Sequence, residues 1–439
     1  MGIPFRLIAQ RRRVSIMSTR TAIWVLFIGV LIAAVAVFFI RRGGIGPVAG
    51  DHEAKEARGS DPQSTTGSPP PQRFRTPMEM PSADWPMFHG SQGLLGLAAG
   101  TLADSPSLLW KFKTDGEVKS PPAISNGRVF IGSSDKNVYA LDLQTGEKLW
   151  SYKTGDSVEA APCVLDGRVF VGSADNWLYA LDAGTGELKW KYETEGQILG
   201  AANWTRAPDE QAPRILVGSY DNKLHCVDAS SGKRVWAYET DNYVNGSPAV
   251  DDGKCVFGGC DAIIHVVSLA DGSKVTEIDS GSYIAASAAF LDGEIFVGNY
   301  ENVFLKVDAG AAKIVWKYEQ SDAPFFSSPA VGDEFVVFGG RDSYVHCVRR
   351  DNGRRIWAFK TLGEVNSSPA ICGDKVVIGS DDGRLYLLRL ADGQQVWSYE
   401  IGQPVISSPA VAGGIVVVGC DDGYVYAFGP RQADGGKTP

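Results

Sequence analysis

Beyond residue 110 the 439-residue chain shows no apolar pattern of helical period, so its main body is read as all-β. Cysteine is sparse: the seven residues are odd in number and none precedes Cys163. That excludes a lipidated N-terminal cysteine and argues against a disulfide framework. Acid is missing from the first fifty residues, which hold seven arginines; with −9 on the whole chain, residues 51–439 carry −16. So acidic a body speaks against a nucleic-acid partner.

Charge of either sign is missing from residues 21–40, TAIWVLFIGVLIAAVAVFFI. Such a run can span a bilayer. No small-x-small cleavage site follows in RRGGIG, so an uncleaved anchor is predicted rather than a signal peptide. Arg6, Arg11, Arg12, Arg13 and Arg20 precede the span, and Arg41, Arg42, Lys55 and Arg58 follow it. The balance leans toward an inside N-terminus and an outside body, and a start at Met17 would reverse it. Residues 43–83 nearly lack aliphatic side chains and are rich in Pro, Ser and Gly, the composition of a disordered tether. Its root-mean-square reach is roughly 35 Å.

What is present is a repeat. In residues 128–150, RVFIGSSDKNVYALDLQTGEKLW, a Gly closes an apolar run, and that Gly recurs at Gly132, Gly172, Gly218, Gly258, Gly298, Gly339, Gly379 and Gly419. An acid stands three residues after each: Asp135, Asp175, Asp221, Asp261, Glu301, Asp342, Asp382 and Asp422. A second marker keeps the same beat of about 40 residues: Trp110, Trp150, Trp190, Trp236, Trp316, Trp357 and Trp397, with Thr276 at the missing position. Each period holds four strand-like runs; in the second these are 159–165, 167–174, 177–182 and 187–193. The second run is apolar on both faces (Val169, Phe170, Val171), as a strand covered on both sides must be. The first run carries small pairs such as Ser120-Pro121, Ala160-Ala161 and Ser367-Ser368, which places it nearest a central axis. The fold class predicted is an eight-bladed β-propeller. Residues 108–114 form a lone fourth-strand segment that should complete the last blade, which stops at Phe428.

The organisation expected is a tail (1–20), a membrane anchor (21–40), a linker (41–84), a lead-in segment packed on the propeller (85–107), the propeller (108–429) and a flexible tail (430–439).

Residues 140–150, ALDLQTGEKLW, resemble the tryptophan-docking motif A-x-D-x-x-T-G-x-x-x-W of the PQQ-like (quinoprotein-type) repeat propeller family, and residues 180–190 match equally well. Copies ending at Trp236, Trp316, Trp357 and Trp397 depart from it, with Ala311-Ala312 for Thr-Gly and Arg349 and Arg389 for Asp. The resemblance covers residues 85–429 and implies the fold, an exported location and no single function. The family includes PQQ-dependent alcohol dehydrogenases, sensor domains and outer-membrane-assembly propellers of the BamB type. The dehydrogenases carry adjacent cysteines and acidic calcium ligands on long insertions. Here no two cysteines adjoin, and the one insertion is six residues within 204–214. No catalytic residue, PQQ or calcium is therefore expected.

His225, His265 and His346 share one repeat position with Tyr139, Tyr179, Leu305, Tyr386 and Tyr426, so they diverge in space and read as packing rather than a metal site. The repeated acids read as Asx-turns, including DDG at 381–383 and 421–423, which resembles a calcium loop. Cys226 and Cys347 stand for Ala140, and Cys255 for Val129, as small buried residues. What differs between repeats is a set of loop residues on one face of blades 3 to 6: Tyr220, Tyr243, Tyr283, Tyr300, Phe325, Phe326 and Arg341. Elsewhere those positions hold Glu117, Ser157, Glu364 and Asp381. Aromatics with Arg are the composition of a protein-binding hot spot, and channel-plugging rings are the competing reading. The reading reached is a monomeric, membrane-anchored, extracytoplasmic propeller without enzymatic activity that binds envelope or membrane proteins, similar to the BamB type. A quinoprotein dehydrogenase and a sensor domain for a small ligand or saccharide are the alternatives.

Overall fold

The computed structural model describes residues 84–206 and 212–431; the predicted anchor and the linker up to residue 83 lie outside them. Among the described residues no helix is long and apolar enough to cross a membrane. The described residues form eight sheets in sequence order, each built on four antiparallel strands. Blade 1 pairs Ala123–Ser125, Arg128–Gly132, Asn137–Asp142 and Lys148–Lys153 in that order from the axis outward, and the pattern repeats. The second strand of each blade is buried on both faces; Val169, Phe170 and Val171 are all 1% exposed or less.

The first strand of blade 2 is Cys163–Leu165, shorter than the run predicted from residue 159. The physical reason lies at the axis, where the small residues bond to the neighbouring blade as well as to their own. Ser247 N donates to Ser287 Oγ, Ser287 N to Ser328 Oγ and Ser328 N to Ser368 Oγ, each at 2.9 Å. The girdle closes where Ser407 Oγ donates to Ser120 O at 3.0 Å. Smallness at this position thus satisfies backbone groups as well as fitting the taper.

Closure follows the prediction. Ser107–Lys113 pairs antiparallel with Tyr424–Gly429, Leu108 opposite Phe428 and Trp110 opposite Ala427. The ring therefore has no free blade edge at its seam.

A bulge precedes the tryptophan position in each outer strand, as between the partners of Trp150 and Lys148, and turns the ring toward the next blade. Trp150 Nε1 donates to Ala183 O at 3.2 Å and Trp110 Nε1 to Leu143 O at 2.9 Å. The ring lies on the glycine of the next blade's turn: a Cβ on Gly186, where φ is +77°, would sit 2.7 Å from Trp150 Cδ2. By repeat position the turn facing Thr276 is the one that carries Ala311-Ala312, so tryptophan and glycine are lost together at one seam. Gly186→Ala should cost about 2–4 kcal/mol, from overpacking plus an alanine at positive φ. Ala312→Gly, at φ +51° with no tryptophan above it, should stay within about 0.5 kcal/mol of the parent. Urea unfolding of the two variants checks both.

The lead-in segment is a strap around the end of the propeller where the first and second strands turn. Trp85 exchanges backbone bonds with Ile124 of blade 1, at 2.9 and 2.7 Å. Further along, carbonyls of the strap accept from successive blades: Pro86 from Val164, Gln92 from Val250, Gly93 from Phe290, Leu95 from Val331 and Gly96 from Ile371, all at 2.7–2.9 Å. Blade 3 joins through side chains, Asn203 Nδ2 donating to Gln92 O at 2.7 Å. Leu97–Ala98 then adds a short parallel strand to blade 7, a fifth strand absent from the sequence reading. Phe88 and His89 of this strap are buried, and burial holds the His89 imidazole down to about 4.

Candidate functional site

Loops joining second to third strands, and each blade to the next, emerge on the face opposite the strap. The first kind is held by the repeated acid. Asp135 Oδ1 accepts from Asn137 N at 2.9 Å, and its Oδ2 accepts from Tyr139 Oη at 2.6 Å. Blade 5 departs: Asn299 Oδ1 accepts from Glu301 N and Val303 N, both at 3.1 Å, and Glu301 itself is exposed. Each Asx-turn aims the residue before the acid at the face, giving one residue per blade: Ser134, Ala174, Tyr220, Cys260, Tyr300, Arg341, Asp381 and Asp421.

The interblade loops contribute three neighbouring columns. Their middle column, Val118, Val158, Ile198, Val244, Ile284, Phe325, Val365 and Val405, is fully buried against the repeated glycine of the preceding blade. Phe325 therefore does not belong to the binding set: it is 0% exposed and lies edge-on to Phe338 at 5.1 Å and 89°. Its place among Val and Ile was the signal in the sequence, and its aromatic neighbour concealed it. Phe326, one residue on, lines the central channel.

The remaining residues form one arc. Tyr243, Tyr283 and Tyr300 are exposed, at 45%, 53% and 43%. Half-buried Tyr220 stacks on Tyr243 with centroids 4.8 Å apart and planes at 5°. Tyr283 meets Tyr300 at 6.3 Å, Tyr300 meets Phe326 at 4.6 Å, and the Arg341 guanidinium lies 3.7 Å over Phe326. Arg341 leads into polar blades, with Nε donating to Asn366 Oδ1 at 3.0 Å and pairing with Glu364 Oε2 at 3.2 Å.

Acids complete the circle; the sequence reading passes over Glu159 and Lys119 and takes Asp421 as part of a turn. Lys119 pairs with Glu117 at 2.6 Å. Burial, with Glu117, Asp381 and Glu159 nearby, pushes the Asp421 carboxyl up to about 6 against the opposing Lys119. Burial, then Glu364 and Asp382, raises Asp381 despite its bond from Asn366 Nδ2 at 2.7 Å. In both DDG turns the second Asp makes the turn, and the first faces the mouth of the channel. Below lies a cavity of about 170 Å³ lined by Glu159, Asn245, Phe326 and axial serines, with Phe88 of the strap at its far end.

The three histidines are buried links between blades. Tyr192, Tyr238 and Tyr318 Oη reach Nδ1 of His225, His265 and His346, at 3.0, 3.4 and 2.9 Å. Each Nε2 meets the acid of its own turn, Asp221, Asp261 or Asp342, at 2.8–3.0 Å. Each histidine takes the place of the repeat's tyrosine in its bond to the turn acid and adds a link to the preceding blade, and among the described residues no three His, Cys, Asp or Glu converge as metal ligands. No disulfide joins the cysteines; Cys260 is half-buried beside Asn245 and the other six are buried.

The sequence of the family described as outer membrane protein assembly factor BamB matches residues 99–212, 202–275 and 341–436. The stretch passed over begins at Thr276 and holds Ala311-Ala312, where the docking motif fails. A comparison with curated proteins finds no match. Among solved structures, BamB from Moraxella catarrhalis superposes with a TM-score of 0.63 at 20% identity, covering 74% of this chain and 99% of that one. The computationally designed protein Ika8 gives 0.64 at 18%, covering 75% and 100%. The quinohemoprotein alcohol dehydrogenase of Comamonas testosteroni gives 0.66 at 14%, covering 80% and 81%. An assembly factor, a design and an enzyme superpose equally well, so these likenesses speak for the fold alone. The family match rests instead on more than half of the chain's own sequence: this protein belongs to the BamB-type family of PQQ-like repeat β-propellers.

Proposed function

We propose that this chain is a membrane-anchored, extracytoplasmic propeller that acts without catalysis as a docking scaffold for envelope or membrane proteins. One observation carries the reading. Tyr243, Tyr283 and Tyr300 are the aromatic side chains left exposed among the described residues, and all three lie on one arc of one face. Amphipathic rings gathered beside an arginine are what an interface core uses. The predicted anchor precedes a chain that joins the propeller at the opposite end, where Asp84 accepts from Ser125 Oγ at 3.0 Å. A quinone cofactor suits the residues poorly, since the channel cavity is about 170 Å³ and pockets for such ligands start near roughly 300 Å³.

Tyr243→Ala and Tyr283→Ala should each weaken capture of the partner by about 2 kcal/mol, roughly 30-fold. Unchanged capture by both variants, in pull-downs from crosslinked cells, would remove this arc as the docking surface. Location has its own test. Protease added to spheroplasts should cut the linker near Arg73 and release the propeller, whereas full protection would put the propeller in the cytoplasm.

A further inference from the structure

The mouth of the channel divides by charge as well as by ring content. Blades 3 to 6 present Tyr220, Tyr243, Tyr300 and Phe326, and the remaining blades present Glu364, Asp381, Asp421, Glu117 and Glu159. Lys119 and Arg341 are the cations set against those five carboxylates, each already paired, with Glu117 and Glu364. The two arcs meet over one space, because Glu159 and Phe326 line the same cavity. Three buried acceptor atoms there, Asp381 Oδ1, Asp421 Oδ1 and Asn245 Oδ1, have no hydrogen-bond partner among the described residues. An acceptor closed off without a donor is destabilising, more so when it carries charge. The mouth is therefore short of donors and of positive charge, in keeping with the raised Asp421 carboxyl.

The geometry also selects among cations. Aromatic faces border the acids, and the protein's own Arg341 shows how a guanidinium sits there, stacked 3.7 Å over Phe326 while its Nε donates to Asn366 Oδ1. A planar fork can stack on a ring and bridge carboxylates together, which a compact ammonium cannot. A cavity of about 170 Å³ equals the volume of about six waters, room for a side-chain head group and not for a folded element.

We infer that the protein docking on this face presents an arginine from a loop, and that its guanidinium enters the channel mouth between the aromatic arc and the carboxylate arc. The inference rests on the docking function proposed above and names the chemistry of that partner.

A fluorescein-labelled tetra-arginine peptide serves as the probe, with tetra-citrulline and tetra-lysine as matched controls. Anisotropy is read on the detergent-solubilised full chain at physiological salt. Tetra-arginine should bind at least about tenfold more tightly than tetra-citrulline, which keeps the shape and lacks the charge, and more tightly than tetra-lysine. Glu159→Gln and Asp421→Asn should each weaken it about tenfold. Glu187→Gln, an exposed carboxylate on the outer turn of blade 2, should leave it unchanged. Melting curves identify any variant that fails to fold, and the other mouth variant then carries the comparison. Equal binding of the arginine and citrulline peptides, or an equal loss in Glu187→Gln, overturns the inference. Absence of tetra-arginine binding while Tyr283→Ala still loses its partner overturns the inference alone. Capture that does not depend on Tyr243 or Tyr283 overturns the docking function, and the inference with it.

Discussion

A chain that begins at residue 115 should fail to unfold cooperatively, whereas one that begins at residue 105 should keep its transition. The two differ by Ser107–Lys113, the outer strand of the last blade. Without that strand Tyr424–Gly429 becomes an open edge, and the seam between blades 8 and 1 loses the Trp110 ring from its seat on Gly146. Thr114 also lies beyond the cut, with its Oγ1 bond to Gly423 O at 3.0 Å. Truncating one buried tryptophan to alanine costs about 3–5 kcal/mol. A domain has only about 5–15 kcal/mol in total, so losing the ring with its whole strand should exceed what the fold can bear. The shorter deletion removes the strap, whose backbone bonds stitch the blades from one end, and should lower stability without opening the ring. Urea unfolding followed by tryptophan fluorescence separates the outcomes. Matching transitions in the two truncations would mean that the strand does not close the propeller.

Phe325→Ala should destabilise the protein by about 3–5 kcal/mol, and Tyr283→Ala, in an equivalent interblade loop, by less than about 0.5 kcal/mol. Phe325 fills the seam between blades 5 and 6, within 5.1–6.3 Å of Phe338, Phe304 and Tyr318. Tyr283 is 53% exposed and touches Tyr300 edge-on. Phe325→Val should recover most of the loss, because Val or Ile fills that position in every other blade. Chemical unfolding checks all three variants; a small loss in Phe325→Ala would return that ring to the surface.

The same pair shows what the sequence could and could not disclose. Blade number, strand order and seam were legible because spacing fixes them: a glycine and a tryptophan every 40 residues leave one architecture that stacks and closes. The strap was not legible, since its bonds come from backbone carbonyls that any residue supplies. The tyrosine arc was legible as a departure from the repeat, and Phe325 was misassigned to it because exposure depends on the column a ring occupies and not on its chemistry. Asp421 was read as a turn residue because it adjoins Asp422, and only the fold separates the acid that makes the turn from the one that faces the channel.

A photo-crosslinking side chain placed at position 283 in living cells tests whether this face docks a protein. A discrete protein adduct is expected from position 283, and none from the same side chain at Asn126, which is exposed on the strap end of blade 1. An adduct from position 126 with none from position 283 would contradict it.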